Sequence, residues 1–181
     1  MNQSIYYTRT AVRLHWLIAL FIISTFALGL YMTGLPLSPN KLKIYAWHKW
    51  AGVTIWLLVW LRLLWRITHR PPVLPTTMPA WQHTAATLAH LLIYLLMIAV
   101  PVSGWLMSSA KGFQTVYFAI VPLPDLVGKN KALGELLATV HEVLNFTMAG
   151  LVLAHAAAAL KHHIIDRDDV LVRMLPLIRK T

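Results

Sequence analysis

Four apolar runs of membrane-spanning length, separated by turn signals, predict an all-α membrane protein, a four-transmembrane-helix bundle with both termini cytoplasmic. Composition points the same way: of 181 residues, 58% are hydrophobic and only 12% are charged, against about 25% in a soluble domain. The basic residues sit between the apolar runs, as topology signals do. The formal charge of +10 therefore speaks for a membrane setting and against nucleic acid.

The first helix is expected over about residues 12–32. Arginines precede it, as in a signal peptide, but its apolar core from Leu14 to Leu30 exceeds the roughly 7–15 residues of such a segment, so it reads as retained. Gly34-Leu35-Pro36 and Ser38-Pro39-Asn40 break the chain after it. The second helix is expected over about 46–67, ended by Arg70-Pro71-Pro72 with Pro75 and Pro79 following. The third spans about 87–108 and the fourth about 136–160. Between them lies a long connection with Pro122 and Pro124, whose stretch from Phe113 to Val121 is apolar for a loop. It reads either as lying flat in the interface over the end of the bundle or as a loop packed down for stability. No repeat interrupts the pattern, and residues 1–181 form one domain.

Charge fixes orientation. With both termini inside, the cytoplasmic side holds Arg9, Arg13, Arg62, Arg66, Arg70, Lys161, Arg167, Arg173, Arg179 and Lys180, and the outer side Lys41, Lys43, Lys49, Lys111, Lys129 and Lys131. Every arginine then lies inside.

The chain has no cysteine and nine histidines. Thiolate clusters, covalent haem attachment and disulfides are excluded, so a redox metal must be held by nitrogen or oxygen. Four histidines sit near the ends of spanning runs: His15 and His155 at the cytoplasmic depth, His48 and His141 at the outer depth. His141 and His155 are 14 residues apart on one helix, close to four turns, so their rings share a face about 21 Å apart along the axis. Ionisable groups inside a bilayer are costly and mark function. A low-spin b-type haem takes two axial nitrogens and fits between the helices of a bundle. The pattern predicts two haem b groups, one held by His15 and His155, the other by His48 and His141. A lone intramembrane histidine can instead hydrogen-bond a neighbouring helix, but four at matched depths are poorly explained that way.

Arg62, 14 residues after His48, is a candidate partner for a haem propionate, with snorkelling to headgroups as the alternative. His90, inside the cytoplasmic half of the third helix, has no partner at its depth. It is a candidate quinone contact or proton relay, or a structural hydrogen bond. Gly29 and Gly104 are small enough for a ring or helix to approach closely. His69 and His83 read as solvated, and His162 and His163 as lying among headgroups, where with His155 they offer a weaker metal-site reading. His141-Glu142 lacks the second histidine of the zinc-protease motif. Trp16, Trp47, Trp50, Trp65, Trp81 and Trp105 read as interface anchors, and Trp56 and Trp60 as packing.

Several segments carry a family resemblance: Leu14-His15-Trp16-Leu17, His48-Lys49-x-x-Gly52, Arg62-Leu63-Leu64-Trp65-Arg66 and Ala89-His90-Leu91-x-x-Tyr94-Leu95-Leu96. The run from Leu153-Ala154-His155 through Lys161-His162-His163, followed by Asp166-x-Asp168-Asp169-x-Leu171-x-Arg173-Met174, is longer and more specific. Together they resemble the bacterial cytochrome b561 family of four-helix di-haem membrane cytochromes. The resemblance implies His15, His48, His141 and His155 as iron ligands and an inner-membrane location. It also implies one of two activities. The first is superoxide oxidation at the outer face with ubiquinone as electron acceptor. The second is electron carriage as a subunit for a separate partner oxidoreductase. For the first, the six outer lysines face three carboxylates, Asp125, Glu135 and Glu142, and Lys111 and Lys131 are candidates to steer the anion. No nicotinamide or flavin motif is present.

Overall fold

The computed structural model describes residues 6–73 and 78–175. Pro75, Arg179 and Lys180 lie outside them. Four helices dominate: α1 (Arg9–Thr33), α2 (Pro39–Thr68), α3 (Ala80–Ala110) and α4 (Lys131–Lys161). All four are long and apolar enough to cross a membrane.

Each helix begins earlier than its apolar run, because the helix starts at a cap and not at the first hydrophobic residue. The Thr8 side chain accepts from the Ala11 N–H, Ser38 from Lys41 with Pro39 in the first turn, and Asn130 from Leu133. These caps satisfy backbone donors that the helix itself leaves unpaired. The extra turns are polar or mixed, as suits helix ends outside hydrocarbon. His83 consequently belongs to the start of α3 and not to a connection.

In sequence order the neighbours pack: α1 on α2, α2 on α3, and most extensively α3 on α4. Neither α1 nor α2 packs substantially on α4. The core is one layer of Ile18, Ile55, Val59, Leu96, Met97 and Met148, drawn from all four helices. Met148 lies midway between His141 and His155, so this layer separates the two histidine depths. The wide apolar outer faces, such as Leu20, Leu64, Leu95 and Leu153, are exposed, as expected of lipid-facing surface.

Two ends close the bundle. At one, the start of α1, the end of α2 and the C-terminal segment meet. Trp16 Nε1 donates to the Met174 carbonyl (2.7 Å), Trp65 Nε1 to Thr8 Oγ1 (2.8 Å), and Arg173 to the Val73 carbonyl (2.9 Å). The described arginines all belong to this end. At the other, the α3–α4 connection contains two short strands, β1 (Val116–Tyr117) and β2 (Val121–Pro122), paired antiparallel. Trp50 Nε1 donates to the Val116 carbonyl (2.7 Å) and Thr54 Oγ1 meets the Tyr117 hydroxyl (2.9 Å), strapping the hairpin to α2. The apolar loop is thus a hairpin with a fixed seat, while its Phe118, Ile120 and Val121 stay exposed.

Candidate haem and electron-transfer site

The structure brings the four singled-out histidines together in two pairs. His15 on α1 and His155 on α4 have ring centroids 6.2 Å apart with planes at 72°. His48 on α2 and His141 on α4 are 6.3 Å apart at 86°. An imidazole nitrogen sits roughly 2 Å from a bound transition metal and about 1 Å from its own ring centre, so two rings on opposite sides of one iron have centroids about 6 Å apart. Both pairs have that separation. Each spans helices that do not pack substantially on each other.

Glycines back the His48–His141 pair. A Cβ on Gly29 would stand 3.2 Å from Cε1 of His48, and one on Gly104 would stand 2.9 Å from Cε1 of His141. Any larger residue at Gly104 pushes the His141 ring. The predicted close approach therefore holds at both glycines, and it is a ring that approaches.

His141 Nδ1 lies 3.1 Å from the Val100 carbonyl and 2.9 Å from Ser103 Oγ. A carbonyl only accepts, so Nδ1 carries the proton and Nε2 keeps a free lone pair. This orientation of a ring through its second nitrogen is typical of metal-ligating histidine. Ser103 is buried and also donates to Val100. His48 Nδ1 is buried without a hydrogen-bond partner, the Thr25 carbonyl beside it falling short of hydrogen-bonding geometry.

His90, on α3, has its ring 5.4 Å from that of His155 at 67°. That is shorter than trans ligation across an iron requires, and α3 and α4 are in close packing, so His90 stands beside the inner pair and not across a cofactor from His155. Arg62 is within electrostatic reach of His15, His90 and His155. Its Nε donates to the Tyr94 hydroxyl at 2.9 Å, and among the described residues its other donors make no hydrogen bond.

The outer lysines divide. Lys111 caps α3 and its Cγ lies against Gly134 of α4, while the Lys129 stem covers Gly112. Lys131 is exposed in the first turn of α4, about 15 Å along the axis from His141. Lys49, next to His48, donates to the Phe113 carbonyl at 3.0 Å and is the outer lysine nearest a histidine pair in sequence. Sequence reading counted Lys49 without singling it out and missed Ser103. A serine one residue before Gly104 in an apolar helix was the available signal.

Near the end of α4, His162 Nδ1 is 2.7 Å from Asp168 and 3.1 Å from Asp166, and Lys161 pairs with Asp166 at 2.6 Å. His162 is therefore held by carboxylates. Among the described residues the cluster with metal-ligand spacing is His162, Asp166 and Asp168, not His155 with His162 and His163. His69 stacks on Trp65 at 3.9 Å.

Comparisons with known proteins show the family. The family model described as prokaryotic cytochrome b561 matches residues 6–177. Cytochrome b561 homolog 2 of Escherichia coli (strain K12) is 36% identical over 163 residues, covering 89% of this chain and 86% of its own. Cytochrome b561 homolog 1 of the same organism is 32% identical over 176 residues, covering 94% and 97%. A Yersinia pestis protein named probable superoxide oxidase CybB is 28% identical over 171 residues, covering 94% and 96%. The chain belongs to the prokaryotic cytochrome b561 family, and is accordingly a multi-pass bacterial membrane protein of electron transfer that binds b-type haem.

Proposed function

We propose that this chain holds two b-type haems and passes electrons from superoxide at its lysine-bearing face to ubiquinone at its arginine-bearing face, across the inner membrane with both termini cytoplasmic. The carrying observation is the equal separation of two histidine pairs, 6.2 and 6.3 Å, at two depths of one bundle. The likeness to a relative named as a probable superoxide oxidase supports the choice of donor.

In this reading His15 with His155, and His48 with His141, would hold the two haem irons, and Arg62 would hold a propionate through the donors it does not spend on Tyr94. Bound haem supplies one-electron acceptance and release. Two superoxide anions each give up one electron and leave as dioxygen, and one quinone takes two electrons and two protons to become quinol. The chain's own part is to gather the anion, exclude bulk water and present protons. Lys111 and Lys131 add positive potential at the outer end, with Lys49 closest to the outer pair. His90 presents a ring N–H to a quinone carbonyl on the inner side, beside His155.

The test is a purified detergent preparation. Reduced-minus-oxidised spectra with a haem count should give two b haems per chain, and added superoxide should reduce them and then a soluble ubiquinone analogue without any other protein. One haem per chain contradicts the ligand reading. Haems that stay oxidised under superoxide make the chain an electron carrier for a separate oxidoreductase. His90→Ala should keep both haems and their reduction by superoxide while slowing quinone reduction. Quinone kinetics like the wild type return His90 to packing.

A further inference from the structure

Where α2 ends, a small pocket has Tyr7, Arg62, Trp65, Arg66, His69 and Tyr94 among its lining residues. Its charge is uncompensated. The two guanidiniums flank the Tyr94 ring at 5.9 and 5.8 Å from its centroid, and among the described residues no carboxylate lines the space. Among the described residues every ion pair lies between residues 161 and 168, so neither arginine has an acidic partner. Arg62 uses Nε on Tyr94. Arg66 is exposed and makes no hydrogen bond among the described residues. Two like charges held over one ring repel each other unless an anion sits between them.

The wall is rigid. Trp65 is tied to Thr8, the cap of α1, and His69 lies flat on Trp65 with ring planes 3° apart. Burial pushes the Tyr7 phenol above its ordinary 10.0, against the pull of Arg66 and Arg62, so it is a neutral hydroxyl at physiological pH.

Size and depth choose the ligand. The cavity is about 30 Å³, enough for the oxygens of a small anionic group. It also touches Ala11, four residues and about 6 Å nearer the chain start than His15. Its floor is thus beyond the histidine level, among the tryptophan and arginine side chains that mark a headgroup layer.

We propose that this pocket binds the phosphodiester of a membrane phospholipid, with Arg66 as its principal ligand, Arg62 adding positive potential from its inner side, and Tyr7 a neutral hydroxyl at its edge. Guanidinium forks suit phosphate oxygens in bidentate fashion. The site is distinct from the propionate contact given to Arg62 above, because Arg66 lies a full turn further out.

The experiment takes the haem-loaded protein through exhaustive detergent exchange and measures phospholipid retained per chain by mass spectrometry, then the inner haem's potential by redox titration. Wild type should keep a phospholipid. Arg66→Gln should lower retention roughly 10-fold or more, the loss of one charge-assisted contact, with Arg66→Lys restoring part of it and the haem potentials unmoved. Tyr7→Phe removes one neutral donor, should lower retention by less, and serves if Arg66→Gln fails to fold. Inorganic phosphate in the exchange buffer should not displace the lipid, and full displacement would assign the pocket to free phosphate and overturn the proposal. It is also overturned if wild type retains no phospholipid. Unchanged lipid together with a shifted inner haem potential in Arg66→Gln would hand the pocket to a propionate.

Discussion

At the scale of single residues, His141 is the best-oriented group in the bundle, because one carbonyl and one hydroxyl fix its Nδ1 proton. Ser103→Ala should leave the outer haem bound and shift its midpoint potential, since a partner of the ligand's second nitrogen tunes its basicity. An unchanged potential removes Ser103 from the site. Gly104→Val is harsher: a Cβ at 2.9 Å from Cε1 of His141 displaces the ring. Pyridine haemochrome assay should find about half the wild-type haem, with the inner centre spared. His48→Ala should give the same count by removing the opposite ligand, and a folded variant with both haems intact would disprove the pairing. If the proposed haems bind with the ring planes kept at 72° and 86°, the iron orbitals that mix with the two imidazoles would be nearly equal in energy. Low-temperature EPR should therefore show strongly anisotropic low-spin signals, whereas parallel rings would give compact ones. Much of this site was readable in the sequence, because a helix converts spacing into facing: 14 residues on α4 sufficed for His141 and His155. Ser103, Lys49 and the ring behind each glycine were not readable. They depend on how α3 and α2 are rotated, and helices apolar all round carry no stripe to reveal it.

Among the elements, the hairpin between α3 and α4 stores strain. Phe118 and Ala119 both hold positive φ, 49° and 59°, a region that disfavours side chains with a Cβ. The ring of Trp50 against Phe118 (5.3 Å) and its bond to Val116 keep the turn in place. Ala119→Gly should stabilise the turn by about 1 kcal/mol, and Trp50→Leu should loosen it. Amide exchange across residues 113–122 checks both, with slower exchange expected in the first and faster in the second. These two-residue strands were invisible beforehand because their seat, on Trp50 and Thr54, lies some 60 residues away. The helix starts were missed for a different reason: hydropathy marks where lipid begins, whereas Thr8, Ser38 and Asn130 mark where hydrogen bonding does. Asn130→Ala should cost about 1 kcal/mol, read as a lower thermal midpoint.

For the whole molecule, the lysine and arginine ends are electrically unlike. Superoxide-driven haem reduction should slow as ionic strength rises, since screening shortens the reach of charge to about 8 Å at physiological salt. It should slow again in a Lys111→Glu, Lys131→Glu double variant, while reduction by an uncharged quinol changes little. Equal salt effects on both donors would leave the lysines without a steering role. Between these two, Lys111 should matter more, because it lies against α4 nearer His141. At the opposite end Tyr7 titrates with the fold. Its raised value means that its contribution to stability is whole below pH 10.0 and is lost as pH climbs through the higher folded value. Tyr7→Phe should therefore lessen the alkaline loss of stability, measured as thermal midpoint between pH 9 and 11.

The two histidines of α4 make that helix a ruler, with genetic consequences. Inserting one residue between His141 and His155, for instance after Gly150, turns every later side chain by about 100°. Under the proposed ligation one iron centre should then lose its ligand, whatever residue is added. Inserting seven residues returns His155 to nearly its old facing but carries it about 10 Å further along the axis, past the reach of His15. No insertion length restores both angle and depth. The same added residues placed in the connection after Val127 leave the spacing alone. Length changes that the loops absorb should therefore be lethal to electron transfer in the interval 142–154, even where every ligand and every lipid-facing residue is kept.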